Sequence, residues 1–126
     1  MVSVLIFVES RYKVNRKRVK KTVEGVLSKE GISSDAEVSL AFVGDRKMRE
    51  LSRKYKGEDK TRNILSFSLT EGQEALGQPG ILRLGDIVIS YPEVIREAVK
   101  GEFLVDDRID ELLAHGLNHL LGLHHE

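Results

Sequence analysis

Short apolar runs and alternating segments along the chain predict four β-strands. Residues 2–8 form a continuous, β-branched apolar run, which is typical of a buried strand. Residues 37–43 alternate large apolar side chains with smaller ones, and residues 63–69 and 84–90 are further short apolar segments. Glycines and a proline between residues 71 and 80 indicate that a loop joins the last two strands.

Apolar positions at helical spacing predict four helices between and after these strands. The first is capped by Asn15 and runs to about residue 29. The second is capped by Asp45 and ends before Gly57. The third has Pro92 in its first turn and is broken at Gly101.

The last helix is capped by Asp106 or Asp107. In the second helix, the residues expected to face the protein core are Met48, Leu51 and Tyr55. In the last helix, they are Ile109, Leu112, Leu113, Leu117 and Leu120. The order β-α-β-α-β-β-α-α predicts an α/β (α+β) fold in which a small mixed four-stranded sheet carries packed helices. We expect one domain over residues 1–126, with the last helix lying against the sheet.

The composition is that of a globular protein, with 40% hydrophobic residues and no cysteine, which excludes disulfides and thiolate metal ligands. The N-terminal apolar run is short and lacks a basic leader and a cleavage site. We therefore expect neither a signal peptide nor a membrane span. We therefore expect the protein to be cytoplasmic and to have no contact with a membrane. We also expect it to be a monomer.

The net charge is zero, but the charges are unevenly divided. Residues 1–62 carry 16 Lys and Arg against 9 Asp and Glu, a balance of +7, whereas residues 63–126 carry 4 against 11, a balance of −7. Such asymmetry can mark a surface that binds nucleic acid, and it can equally reflect solvated helix faces. The candidate RNA-binding residues are Arg16, Lys17, Lys20, Lys21, Arg53 and Lys54.

All four histidines lie near the C-terminus, at positions 115, 119, 124 and 125. His115 and His119 are four residues apart, so on a helix they share one face and can bind one metal ion together. Gly122 is typical of a helix end, and the chain can turn there and return His125 to the same ion. This spacing matches the zinc-protease motif H-E-x-x-H-x-x-G-x-x-H. Three imidazole ligands favour one Zn²⁺ ion.

One residue departs from the protease motif. Gly116 stands where proteases carry the glutamate that acts as general base. Glu111, one turn before His115, can accept the second ring N–H of that histidine, or it can be an ordinary surface residue. The sequence thus predicts a metal site without the protease base.

These motifs resemble the YbeY family of metal-dependent endoribonucleases, which mature ribosomal RNA. The family's H-G-x-L-H-L-x-G-Y-D-H is similar to H-G-L-N-H-L-L-G-L-H-H from residue 115. The segment T-R-N-I-L-S-F from residue 61 is similar to the family's T-D-V-L-S-F, and L-G-D-I from residue 84 is also shared. The resemblance implies a zinc triad of His115, His119 and His125, a small mixed α/β fold, and roles in small-subunit (16S) rRNA maturation and ribosome quality control.

Several residues depart from the family pattern. Lys56 stands in place of a family arginine, which keeps the charge but loses the bidentate fork. Asn63 replaces an aspartate, Asn118 a leucine and His124 an aspartate. The expected function is a zinc-dependent, single-strand-specific endoribonuclease in which Lys56 offsets charge on the phosphate. The alternatives are a metal-dependent peptidase or small-molecule hydrolase, and a non-catalytic zinc-containing RNA-binding module.

Overall fold

The computed structural model describes residues 1–68 and 80–122. In these residues the elements follow the predicted order. The strands are β1 (Val2–Val8), β2 (Asp35–Val43), β3 (Ile64–Ser68) and β4 (Ile81–Ser90), and the helices are α1 (Arg16–Lys29), α2 (Asp45–Lys56), α3 (Tyr91–Gly101) and α4 (Val105–Leu121). The predicted α/β class is confirmed. The predicted last residue of β3 and almost all of the loop at residues 71–80 lie outside the described residues.

The strands form one mixed sheet in the order β1-β2-β4-β3. β2 lies between β1 and β4 and runs parallel to both, and β3 runs antiparallel to β4 at one edge. The pairing of β2 with β4 begins at Asp35 and Ile81, so both strands start earlier than predicted. Pairing with a neighbouring strand extends them beyond the apolar runs that the sequence pattern detects.

Alternate residues of the strands face two helical layers of unequal size. One face carries α1, α3 and α4, with a core that includes Val23, Leu27, Val38, Leu40, Phe42, Ile87, Ile89, Val94, Leu113 and Leu117. The opposite face carries α2, with a smaller core of Val43, Met48, Leu65 and Val88. None of the helices in residues 1–68 and 80–122 combines the length and apolar character needed to cross a membrane.

A β-bulge lies in β4 opposite the step from Glu37 to Val38 of β2. Leu84 is the extra residue, and Gly85 has a φ of 136°, a conformation that glycine adopts more readily than other residues. The bulge allows Leu84 and Ile87, three residues apart, to face the same helical layer. Asp86 therefore points to the opposite face, towards α2.

Two expectations about burial are wrong. β1 was expected to be buried, but it is an edge strand in which Leu5 is 51% exposed and Phe7 is 60% exposed. Tyr55 was expected to face the core, but it is 52% exposed. The cause is shared, because the α2 face of the sheet is only partly covered and leaves an open groove between β1 and α2. Apolar periodicity shows which residues share a face, but it does not show whether a neighbour covers that face.

The start of α2 also differs from the prediction. Gly44 is the N-cap, and Asp45 is the first helical residue. Asp45 Oδ1 accepts hydrogen bonds from Arg96 Nη2 at 2.8 Å, Ser90 Oγ at 3.1 Å and Thr61 Oγ1 at 3.2 Å. The Arg96 guanidinium, with help from Ser90 and Thr61, holds the pKa of the Asp45 carboxyl below its ordinary value. Asp45 thus joins α2 to α3 and to the segment that enters β3.

The start of α4 differs for a similar reason. Leu104 occupies the N-cap position, and Asp106 and Asp107 lie in the first turn, where carboxylates interact favourably with the helix dipole. Asp107 Oδ1 accepts a hydrogen bond from Arg18 Nη2 at 2.6 Å, and Asp110 Oδ2 accepts from the same guanidinium at 2.8 and 3.0 Å. The acidic first turns of α4 therefore hold α1 in place.

The end of α3 lies one residue later than predicted. Gly101 is the last helical residue, and Glu102 takes the left-handed conformation with a φ of 58°. A Cβ atom on Gly101 would lie 2.1 Å from the ring of Phe103. The Phe103 ring packs over this glycine, and a side chain at residue 101 would displace the ring, which is 40% exposed.

Gly116 is a position at which α4 packs closely against the sheet. A Cβ atom at this position would lie 3.1 Å from the Cδ1 atoms of both Ile64 in β3 and Ile87 in β4. That distance is shorter than the optimal carbon–carbon separation of about 3.5–4.0 Å. The absence of a side chain at residue 116 therefore sets the distance between α4 and the two strands.

Substitution of two helical glycines separates this packing effect from helix propensity. Gly25 in α1 has no atom within 4 Å of a Cβ position, so Gly25→Ala should raise the free energy of unfolding by about 0.5–1 kcal/mol. Gly116→Ala should give a smaller gain or a loss, and Gly116→Val a loss of about 1–3 kcal/mol from overpacking. Urea denaturation measures all three changes. Equal effects of the alanine substitutions at the two positions would contradict the tight contact at Gly116.

Candidate active site

α4 places His115 and His119 on one face, one helical turn apart, as the sequence predicts. Both side chains are exposed, whereas the neighbouring Gly116 and Leu117 are buried against the sheet. The helix ends at Gly122, which has a left-handed φ of 74°. The predicted helix and its terminating glycine are both confirmed.

β3 contacts the second histidine directly. Ser66 Oγ lies 2.7 Å from His119 Nδ1. Because this hydroxyl engages Nδ1, a metal ion on the same ring would be bound through Nε2. The strand alternation explains the contact, since Ile64 and Ser66 face α4 while Leu65 and Phe67 face the α2 layer.

A cavity of about 170 Å³, here called the cleft, opens beside the two histidines. Its lining residues come from α2, β3, α4 and the α2–β3 connection, and they are Lys56, Arg62, Ile64, Leu65, Ser66, His115, Gly116 and His119. The structure thus brings Lys56 to the same cleft as His115 and His119. These three residues were predicted as site residues from separate parts of the sequence.

The cations of the cleft are held near a shared carboxylate. Arg62 Nη2 donates to Glu58 Oε1, and Arg62 Nε donates to Ser52 Oγ at 3.3 Å. The pKa of Glu58 is lowered by the Arg62 guanidinium first and by Lys60 and Lys56 to a lesser extent. Lys56 is exposed at the end of α2, where a cation is favourable because of the helix dipole.

A second cavity of about 290 Å³, here called the recess, lies on the other side of His115. It is lined by Asn63, Ile64, Arg108, Glu111, Leu112 and His115. Glu111 Oε1 accepts a hydrogen bond from Arg108 Nη1 at 3.0 Å. Glu111 therefore lies near His115 as expected, but the partner shown for its carboxylate is Arg108, and its role as a hydrogen-bond acceptor for His115 stays a prediction.

The third predicted ligand, His125, and its neighbour His124 lie outside the described residues. Among residues 1–68 and 80–122, no group of three His, Cys, Asp or Glu side chains is placed to hold a metal ion. The two described imidazoles fit the proposed site in three respects: they share a helix face, they line one cleft, and one of them has a hydroxyl on its second nitrogen. The zinc site and its third ligand stay predictions.

The predicted RNA-binding residues do not form one surface. Arg16, Lys17, Lys20 and Lys21 lie on or at the start of α1, on the face of the sheet opposite α2, and α4 separates α1 from β3. Arg16 Nη1 donates to the Ile6 carbonyl at 3.0 Å and so covers part of the edge of β1. Arg53 pairs with Asp59 at 2.9 Å, and Lys54 Nζ lies 5.2 Å from the centre of the Tyr55 ring.

Arg62 and Ser66 were not predicted as site residues. Both belong to the segment T-R-N-I-L-S-F that carries the family resemblance. Period-two alternation shows that Ile64 and Ser66 share a face of the strand. The pattern gave no sign that this face meets the histidines, because that contact depends on where α4 packs.

Comparisons with known proteins show the family to which the chain belongs. The model of the family "Endoribonuclease YbeY" matches residues 6–126. This chain belongs to the YbeY family. An endoribonuclease YbeY from Syntrophus aciditrophicus (strain SB) is 36% identical over 118 residues, covering 94% of this chain and 72% of the relative. One from Desulforamulus reducens is 43% identical over 110 residues, covering 86% and 72% respectively.

A solved structure shows the same fold. The solution structure of TM1509 from Thermotoga maritima matches 100% of this chain and 75% of its own, with a TM-score of 0.63 and 22% sequence identity. The family resemblance predicted from three short motifs is thus confirmed over nearly the whole chain, and with it membership of a family of RNA-cleaving hydrolases.

The YbeY match at Leu84 to Ile87 is divided between the two faces of the sheet: Leu84 and Ile87 face the layer that contains α4, and Asp86 faces α2. Asp86 lines a groove of about 490 Å³ with the aromatic side chains of Phe7, Tyr55 and Phe67. Burial raises the pKa of the Asp86 carboxyl. Asp86 therefore belongs to the groove under α2, and none of the four residues of the motif lines the cleft.

Asn118, where the YbeY pattern has leucine, holds a buried polar atom. Its Oδ1 is buried and has no hydrogen-bond partner among the described residues. An unsatisfied buried acceptor costs about 1–3 kcal/mol. We therefore expect the amide at this position to destabilise the helix that carries the histidines.

Asn118→Leu should raise the free energy of unfolding by about 1 kcal/mol, because it removes the unsatisfied acceptor. Asn63→Leu makes the same chemical change at an amide whose Nδ2 donates to Glu97 Oε2 at 3.1 Å. It should lower stability by about 1 kcal/mol. Thermal and urea unfolding of both variants measure whether each change raises or lowers the free energy of unfolding. A rise for both variants, or for neither, would contradict this account.

Proposed function

We propose that this chain is a zinc-dependent, single-strand-specific endoribonuclease. The observation that carries the proposal is the convergence of His115, His119, Lys56 and Arg62 on one cleft. Imidazoles can hold a metal ion, and the two cations can bind a phosphodiester between them and that ion. Membership of the YbeY family supports RNA as the substrate.

The proposed zinc ligands are His115, His119 and His125. A zinc ion bound there would supply a Lewis acid that polarises water and the phosphodiester. Ser66 would hold the His119 ring in one orientation through the contact with Nδ1 at 2.7 Å. Glu111 is proposed to support His115 from the neighbouring recess.

The other residues of the cleft act on the phosphate. Lys56, with an exposed and flexible side chain, is proposed to approach the phosphodiester and offset the charge that develops on it. Arg62 is more restricted, because Ser52 and Glu58 hold its guanidinium. Lys56, Arg62, Ser66 and the two histidines are the polar residues among the described cleft lining. We therefore propose that the proton of the attacking water passes to His124 or to a group of the RNA.

The biological substrate is proposed to be small-subunit ribosomal RNA, with maturation of its 16S species and ribosome quality control as the roles. The family resemblance supports this substrate. The cleft opens at the edge strand β3 and has about 170 Å³ of space, which suits one strand better than a duplex. Arg16, Lys17, Lys20, Lys21, Arg53 and Lys54 are proposed to hold more distant parts of the RNA backbone.

A metal-dependent peptidase or small-molecule hydrolase is the second candidate, because the ligand spacing matches that of zinc proteases. Gly116 argues against it, since Ile64 and Ile87 occupy the space in which a glutamate side chain would have to lie. A non-catalytic zinc module that binds RNA is the third. Incubation with single-stranded RNA and with casein, each with and without a chelator, separates the three. Chelator-sensitive cleavage of RNA alone is the expected result, and cleavage of casein alone would overturn the proposal.

His125→Ala is expected to lose zinc, RNA cleavage and the stability that metal binding adds to the folded state. His124→Ala is expected to retain zinc, because neighbouring side chains in an extended segment point in opposite directions. Metal analysis of the purified variants and their melting temperatures with and without added zinc provide the measurement. Loss of zinc from His124→Ala but not from His125→Ala would show that the third ligand has been misassigned.

Lys56→Ala should lower RNA cleavage about 10²-fold or more while zinc content and melting temperature stay close to those of the parent chain. Lys56→Arg, which restores the family residue, should preserve or raise the rate. Charge reversal at Lys17, Lys20 and Lys21 is the comparison, and it should weaken RNA binding at low salt without changing the rate for bound RNA. Full cleavage by Lys56→Ala would remove this residue from the mechanism.

A further inference from the structure

The recess and the cleft form the two ends of one path along α4. They share His115 and Ile64, so a strand of RNA with its phosphate in the cleft reaches the recess without leaving the surface of the helix. The cleft lies on the His119 side of His115, and the recess lies on the Glu111 side. This inference rests on the proposed endoribonuclease function.

The two ends differ in charge. The described lining of the cleft has the cations Lys56 and Arg62 and no carboxylate, and Glu58, which pairs with Arg62 beside the cleft, offsets one of the two charges. In the recess, Arg108 donates to Glu97 Oε1 at 2.8 Å and to Glu111 Oε1 at 3.0 Å, so two carboxylates offset its charge. A phosphate is therefore favoured in the cleft and disfavoured in the recess.

The recess presents hydrogen-bond acceptors between apolar walls. Asn63 Nδ2 donates to Glu97 Oε2 at 3.1 Å, which orients the amide and leaves its acceptor Oδ1, together with the second N–H of Nδ2, for a ligand. Glu111, whose side chain is 66% exposed, can offer its second carboxylate oxygen. Ile64 and Leu112 supply the apolar surface.

Glu97 also explains how an amide fits at residue 63, where the family pattern has aspartate. A carboxylate at this position would face the carboxylate of Glu97, whereas the amide of Asn63 donates to it. The pair fixes the orientation of the Asn63 side chain. The acceptor at the recess is therefore positioned by a residue of α3 that lines neither cavity.

We propose that the recess binds the nucleoside adjacent to the scissile phosphodiester, and that Asn63 Oδ1 and Glu111 accept hydrogen bonds from its donors. The donors are N–H groups of the base or the ribose 2′-hydroxyl, which share the same chemistry. A volume of about 290 Å³ suits one nucleoside rather than a longer segment. The recess thus selects the nucleotide next to the cleavage position.

The test begins with a pool of random single-stranded RNA, in which sequencing of product ends maps the cleavage positions of the parent chain. Short RNAs with one mapped site are then altered at each flanking nucleotide. One set carries 2′-deoxyribose, and the other carries a base that lacks its amino group. The expected result is a preference of about five- to tenfold in kcat/KM for the donor-bearing substrate, on one side of the cleavage position only.

Asn63→Leu should abolish that preference, and Glu111→Gln, at an exposed site where folding is not challenged, should change it. Asn118→Leu is the matched control, because it makes the same change at a residue that lines neither cavity, and it should keep the preference. If Asn63→Leu loses the preference only in the 2′-deoxyribose set, the donor is the ribose hydroxyl. If it loses the preference only in the set with the altered base, the donor is the amino group of the base. The inference about the recess would be overturned, and the proposed endoribonuclease function would stand, if both Asn63→Leu and Glu111→Gln kept the preference. The same holds if the parent chain cleaved RNA without any preference. Absence of RNA cleavage by the parent chain would overturn the proposed function as well.

Discussion

The close contact of α4 with β3 and β4 at Gly116 is the constraint on which the candidate site depends. With only 3.1 Å from a Cβ position to two isoleucine methyl groups, a larger residue requires those side chains or the helix to move. The bond between Ser66 Oγ and His119 Nδ1 requires the same approach. One small residue thus sets both the packing of the sheet and the position of the second histidine.

This contact gives a physical reason for the missing protease glutamate. In a zinc protease the residue after the first histidine directs a carboxylate towards the metal. Here that position faces the core between β3 and β4, and its neighbours are Ile64 and Ile87. The chain therefore has histidines at protease spacing on a helix in which the position after the first histidine contacts the sheet.

Much of the fold could be predicted from the sequence because it depends on local periodicity. The boundaries of α1, the end of α4 at Gly122 and the His115–His119 face all follow from helical spacing and glycine chemistry. The exposure of Phe7 and Tyr55 could not be predicted, because it depends on how far α2 covers the sheet. The roles of Asp45 and Asp107 depend on arginines far away in the chain, and local capping rules do not contain that information. Arg62 and Ser66 were missed for the same reason.

The strand order has a consequence for the synthesis of the protein. β4 is the last strand in the chain, yet it lies between β2 and β3, and the final helix completes the layer above it. Arg18 and Asp110, which join the first helix to the last, are 92 residues apart in the chain. Contacts of such long range form slowly and only once both partners exist. A nascent chain on the ribosome would therefore hold no assembled cleft until α4 has emerged, so RNA cleavage would begin only after that helix has left the ribosome.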